Sequence, residues 1–270
     1  MSAFVARDLI DIGANLTHDS FDHDRPEVIR RAQDAGVAVM VVTGADEDSS
    51  HGAARLAEAY PGVLYATAGV HPHHAKEWQD TTAATLEGLL AHGEVRAVGE
   101  CGLDYFRNFS TPEQQEAAFA TQLELAVATG LPAFLHQRDA HERFLLILDK
   151  YLSGIGRAVA HCFTGTGEEL ADLIERDLYV GVTGWICDER RGHHLRDIVG
   201  MIPPDRLLIE TDAPYLLPRD LKPRPKTRRN EPYHLPHILE VIADCLLAAG
   251  TAPNGANRQP WQFVVVGDPE

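Results

Sequence analysis

Short apolar runs alternate along the chain with longer segments of helical periodicity. The runs lie at residues 9–14, 37–43, 64–70, 95–99, 131–135, 158–160, 179–182 and 207–209. This alternation predicts parallel strands joined by crossover helices. Helix ends are written between them. Asp24, followed by Pro26 and Glu27, reads as an N-cap with a capping box, and Gly36 as the stop of that helix. Thr111-Pro112-Glu113-Gln114 opens a longer helix that Gly130 ends. A third helix is expected from Asp139, with Glu142 three residues on, and a fourth over residues 168–176. Eight strand-like runs match the closure number of a parallel barrel. A doubly wound open sheet competes, but Ile12-Gly13-Ala14-Asn15 after the first run lacks its phosphate-binding glycine pattern. The fold class expected is α/β, a TIM-type (β/α)8 barrel in one domain.

Polar residues stand at the ends of these runs, where a barrel gathers the carboxyl ends of its strands on one rim. They are His71 and His73, Glu100, His136, His161, Glu210 and Asp212. Glu100, His136, His161 and Asp212 combine two carboxylates with two imidazoles, a set suited to Zn, Mn, Co or Fe, and to Mg when water and phosphate complete the shell. His71 and His73 add nitrogen donors. The supply suffices for two ions, with Glu100 able to bridge them. Two ions about 3.5–4 Å apart can acidify a shared water and neutralise phosphoryl oxygens, so hydrolysis is the implied reaction, with Asp212 taking the proton of the attacking water. Glu100 and Asp212 are thus the catalytic candidates. No serine nucleophile elbow or suitable cysteine–histidine pair competes.

Composition narrows this picture. The chain has 270 residues, 44% of them hydrophobic, enough for one packed domain of barrel size. No stretch approaches the apolar length of a bilayer span and the N-terminus has no signal pattern, so a soluble, unexported protein without a membrane partner is expected. Cys101, Cys162, Cys187 and Cys245 are far apart, which argues against a disulfide framework or a thiolate zinc site. The formal net charge of −16 disfavours a nucleic-acid partner on average. One segment departs from that average: residues 219–229 carry six cations among prolines, in an extended loop shortly after Asp212. It reads either as a solvated connection or as a polyanion contact above the rim.

At these residues the chain closely resembles the TatD family of metal-dependent deoxyribonucleases, within the amidohydrolase-like barrels. The resemblance rests on Asp11-Ile12-Gly13-Ala14-Asn15-Leu16-Thr17, Ala68-Gly69-Val70-His71-Pro72-His73, Val98-Gly99-Glu100-Cys101-Gly102-Leu103-Asp104, Leu135-His136-Gln137-Arg138-Asp139-Ala140, His161-Cys162-Phe163-Thr164-Gly165 and Ile209-Glu210-Thr211-Asp212-Ala213-Pro214-Tyr215. It implies a cytoplasmic 3′–5′ exonuclease acting on single-stranded DNA, with RNA as a further substrate and a link to DNA repair. In that family the residues matching Glu100, His136, His161 and Asp212 hold the metals and magnesium is the usual activator. His71 is a further metal candidate, Mn or Zn the alternative ions, and a monomer is expected. His73, Tyr105, Arg138, Asp139, Trp185, Arg228 and Arg229 are the residues expected to meet substrate, by stacking or by pairing with phosphate.

Two departures qualify the resemblance. Many relatives end the first strand with His-x-His, where Gly13 and Asn15 stand here, so one metal position should be loosely held and richer in oxygen, favouring magnesium over zinc. The barrel is expected over residues 1–248, whereas 249–270 resemble the flavin-binding start of a nitroreductase, read as a fusion remnant or hybrid reading frame. That match is too short for a flavin site, so no flavin is expected, and the helix covering the last strand is expected to be shortened. Two other functions stay open: hydrolysis of a small amide, lactone or phosphoester, and an inactive nucleic-acid-binding scaffold.

Overall fold

The computed structural model describes residues 8–251, and the tail reading for 249–270 lies, beyond the backbone of 249–251, outside the described residues. Eight strands form one parallel sheet in sequence order: β1 (Leu9–Ala14), β2 (Val37–Val42), β3 (Leu64–Ala68), β4 (Val95–Asp104), β5 (Ala133–Arg138), β6 (Ala158–Ala160), β7 (Tyr179–Val182) and β8 (Leu207–Ile209). Just beyond β8, a parallel bridge between Ala14 and Ala213 brings the two ends of the sheet together. Asp212 N–H donates to the Gly13 carbonyl at 2.8 Å and Asn15 N–H to the Ala213 carbonyl at 2.7 Å. The fold is therefore the expected barrel.

The strands are connected by α1 (Arg25–Asp34), α2 (Glu47–Ala59), α3 (Thr82–Leu90), α4 (Pro112–Thr129), α5 (His141–Leu148), α6 (Gly167–Glu175), α7 (His193–Ile198) and, after β8, α8 (Leu235–Thr251). Their apolar faces pack on the barrel, where Phe21, Phe119 and Phe144 are wholly buried. The Phe119 and Phe144 rings stack at 5.3 Å between α4 and α5. Each such phenyl contributes about 1.5–3 kcal/mol by leaving water.

Thr111 caps α4 in a reciprocal capping box with Gln114, and Gly130 ends it at φ 70°. Thr166 and Glu169 do the same at the start of α6. Asp24 stands at the N-cap of α1 but makes no side-chain cap bond. Its carboxylate is taken by Arg229 and Arg31 instead. Asp139 is not the cap of α5: it adopts φ 53°, and Ala140 takes that place. The last helix, expected to be shortened, runs 17 residues and buries Ile238 and Ile242 in the core beside β1 and β8. No helix among the described residues is long and apolar enough to cross a membrane.

Candidate active site at the carboxyl rim

β4 is longer than its sequence run suggested and continues through Asp104. Glu100 therefore sits inside the strand, and period two sets residues 100, 102 and 104 on one face. Gly102 keeps that face passable: at φ 147° a Cβ here would overlap the His136 carbonyl of the paired strand. Opposite stands α4, whose buried Gln115 and Gln122, seven residues apart, share one helix face. The Gln115 amide accepts from Asp104 N–H at 2.8 Å and donates to the Asp104 and Ser110 carbonyls. Gln122 accepts from Val70 N–H at 2.7 Å and donates to the Val70 carbonyl at 3.0 Å. One helix thus fixes both segments that carry site residues.

Three imidazoles converge on one oxygen of Glu100. His161 Nε2 lies 2.7 Å from Glu100 Oε1, His136 Nδ1 3.1 Å and His71 Nε2 3.3 Å. His73 Nε2 pairs with Asp104 Oδ2 at 2.7 Å. Asp212, at φ 52° just past β8, accepts from the Asn15 side-chain amide at 2.9 Å and interacts electrostatically with His161 and Glu100. All of these residues hold little or no solvent exposure apart from the partly covered Asn15, His73, His136 and Asp212.

Burial and charge pull the site's protonation in opposite directions. Burial alone would raise Glu100, yet the charges of His161 and His71 and the His136 hydrogen bond hold it well below the usual carboxylate range. Burial also opposes charge on His161, but Glu100 and Glu210 outweigh it and raise the imidazole well above its ordinary value. His71 is pushed down to about 4, chiefly by burial. Burial, reinforced by Glu100 and Glu210 against the pull of His161, raises Asp212 to about 7.

A divalent cation suits this donor set. His71, Glu100 and His136 each offer a ligand atom, all within 4.8 Å of one another. His136 Nε2 is buried with no hydrogen-bond partner, 3.7 Å from Asp104 Oδ2. A buried nitrogen left unpaired beside a carboxylate is what a cation would satisfy.

The residues expected at the substrate fall into two groups. His73 is at the cluster, and Arg138 ends β5 in register with Asp104, its guanidinium 3.9 Å over the Phe106 ring. Tyr105 instead donates its hydroxyl to Glu116 at 2.8 Å and packs on the core. Trp185 also packs on the core, with Arg191 stacked at 4.3 Å, and Asp139 is exposed. In the basic loop, Lys222, Arg224, Lys226 and Arg228 are exposed and make no ion pair among the described residues. Arg229 is different: it bonds Asp24, Glu231 and the Ser20 carbonyl, which ties the loop to α1. At the loop's start Asp220 accepts from His237 at 2.7 Å and Arg196 at 3.4 Å.

Two carboxylates of the site have no role in the sequence reading. Asp104 shares a strand face with Glu100 by period two, and Glu210 figures there only as a rim residue. Glu210, fully buried, accepts from Cys162 N–H and lies 3.3 Å from His161 Nδ1.

A parallel barrel with a histidine–carboxylate cluster at its carboxyl rim defines the class, a metal-centred hydrolase. The chain belongs to the TatD-related DNase family, whose model matches residues 10–249. It is therefore a metal-dependent nuclease by family. It is similar to the 3′-5′ ssDNA/RNA exonuclease TatD of Erwinia billingiae, 54% identical over 93% of this chain and 95% of that protein. The protein of the same name from Cronobacter sakazakii is 57% identical over 87% of this chain and 89% of its own length. Among solved structures, a TatD family hydrolase from Entamoeba histolytica matches with TM-score 0.80 and 28% identity, covering 90% of this chain and 93% of that one. A TatD homologue from Escherichia coli K12 gives 0.79 and 28%, covering 89% and 95%.

Proposed function

We propose that this nuclease removes nucleotides from the 3′ end of single-stranded DNA and of RNA, with magnesium as activator. The observation that carries the reading is the convergence of His71, His136 and His161 on Glu100 beside Asp212, on a rim whose last loop bears four cations without ion pairs among the described residues. The named activity of the Erwinia and Cronobacter relatives supports the polarity and the substrate.

His71, Glu100 and His136 would hold one cation, and His161 and Asp212, with Glu100 shared between them, a second. A cation there supplies charge neutralisation at a phosphoryl oxygen and a lowered pKa for water. Asp212 accepts the proton of the attacking water. Arg138 and His73 meet the terminal phosphate. Lys222, Arg224, Lys226 and Arg228 draw the strand over the rim, while Arg229 fixes the loop that presents them.

The test is digestion of 3′-labelled and 5′-labelled single strands with Mg, Mn and Zn compared. Release should begin at the 3′ end and be greatest with Mg, and Glu100→Gln should lose at least a hundredfold in rate and most of the bound metal. Neutralising the four loop cations should flatten the fall of DNA affinity with salt by about three in log–log slope, since each phosphate contact on a single strand contributes about 0.7. Cleavage that survives Glu100→Gln, or equal loss on a neutral small ester, would falsify the reading.

A further inference from the structure

Two phenylalanines stand in the open on the rim next to the cluster. Phe106 is 54% exposed and Phe109 55%, both in the turn between β4 and α4. The turn that presents them is tightly held. Arg107 N–H donates to Asp104 Oδ1 at 2.8 Å, and the Asn108 amide to the Tyr105 carbonyl at 2.6 Å. The Ser110 hydroxyl donates to the His73 carbonyl and accepts from Lys76 N–H, both at 3.0 Å. These bonds hold the turn that presents the two rings at the surface.

Their surroundings specify an occupant. Phe109 packs edge-on against the His73 ring at 4.8 Å, and His73 is paired with Asp104 in the cluster. Phe106 lies under the Arg138 guanidinium at 3.9 Å, with Arg107 at 5.8 Å from its centroid. Two exposed apolar rings, one of them beside guanidinium groups, fit a ligand that is planar and anionic in alternation, as a nucleic-acid strand is. Across the barrel, four strands away, Tyr215 follows Asp212, is 52% exposed and meets His18 edge-on at 5.6 Å.

We propose that Phe106 and Phe109 form a base-stacking platform that seats the terminal nucleotides of the strand beside the cluster, the role the sequence suggested for Tyr105. The proposal rests on the nuclease reading above. Stacking on rings already fixed costs little ordering, so the platform adds affinity without choosing among bases.

The experiment compares kcat/KM on a single strand with kcat/KM on the same strand made abasic at its two terminal positions, at the end from which digestion proceeds. Base removal should cost the wild type about thirtyfold or more, mainly in KM. Phe106→Ala and Phe109→Ala should bring the normal strand down to near the abasic rate and lose little more on the abasic one. Phe109→Trp should recover the difference, which a merely structural phenyl would not predict. Equal wild-type rates on both strands, or alanine effects of the same size on both, overturn the platform and leave the nuclease reading standing. Discrimination that persists in the alanine variants while their sedimentation changes assigns the rings to contact between copies and also overturns it. A wild type that cleaves neither strand overturns both.

Discussion

Gly13 and Glu210 act as a pair. A Cβ on Gly13 would overlap Glu210 Oε2. Gly181 makes room in the same way on the other oxygen. The carboxylate so accommodated lies 3.3 Å from His161 Nδ1, and His161 Nε2 reaches Glu100 at 2.7 Å. A carboxylate behind a metal-holding histidine fixes its tautomer and ring plane. The glycine is then not simply an absent ligand; it is space for the group that orients His161. Gly13→Ala should displace Glu210 and weaken divalent-metal binding by about 10–100-fold, a size found for loss of such supporting partners. Calorimetric titration of metal-stripped protein measures it, and affinity equal to wild type would show that Glu210 orients nothing. None of this was legible from sequence, because the Asp11–Asn15 string shows a missing side chain but not the distant carboxylate that fills its volume.

At the scale of elements, α4 fixes two of the segments that carry site residues. Gln115 and Gln122 each satisfy a buried N–H and a buried C=O of the segments that carry Asp104 and His71. Gln122→Leu preserves bulk but leaves both Val70 groups without partners, and each unsatisfied group costs about 1–3 kcal/mol. The expected result is a melting temperature lower by several degrees and, because His71 follows directly, a looser metal. A variant as stable as the wild type would mean that water replaces the amide. These glutamines explain where sequence reading stopped. All eight strands were visible because buried parallel strands are continuous apolar runs, and α4 and α6 because their caps are local hydrogen bonds between residues three apart. Asp24 and Asp139 show the same caps in sequence, yet Asp24 is claimed by guanidinium groups from elsewhere and Asp139 turns to φ 53°. Glu100, His136, His161 and His71 were legible as strand-end residues, and their meeting follows from barrel closure. A clamp from a helix that carries no site residue has no comparable signature.

The whole molecule closes where β1 meets the segment after β8, and a charged network braces that seam. Arg229 bonds Asp24 through two nitrogens at 2.8 and 2.7 Å and Glu231 at 2.7 Å, with its guanidinium over the Phe21 ring. Arg31 bonds Glu231 at 2.9 Å and Asp24 at 3.1 Å. α1 is thereby joined to the segment that enters α8, and the basic loop between them is held at its far end. The Arg229 hydrogen bonds lead the effect on Asp24, keeping its carboxyl far below its ordinary value of 3.8. A carboxyl depressed in the folded state stabilises fully above its unfolded pKa and loses that contribution as pH falls through the folded value. Asp24→Asn should therefore cost about 2 kcal/mol at pH 7, the range for charge-assisted bonds of partly covered groups. The gap between variant and wild type should narrow only below about pH 4, where the unfolded carboxyl begins to bind its proton. Thermal unfolding followed from pH 8 to pH 3 measures the gap. A constant difference across that range would show that the network braces the seam by packing alone. A gap that narrows in acid would tie the brace between α1 and the far end of the cationic loop to the ionisation of one carboxylate, Asp24.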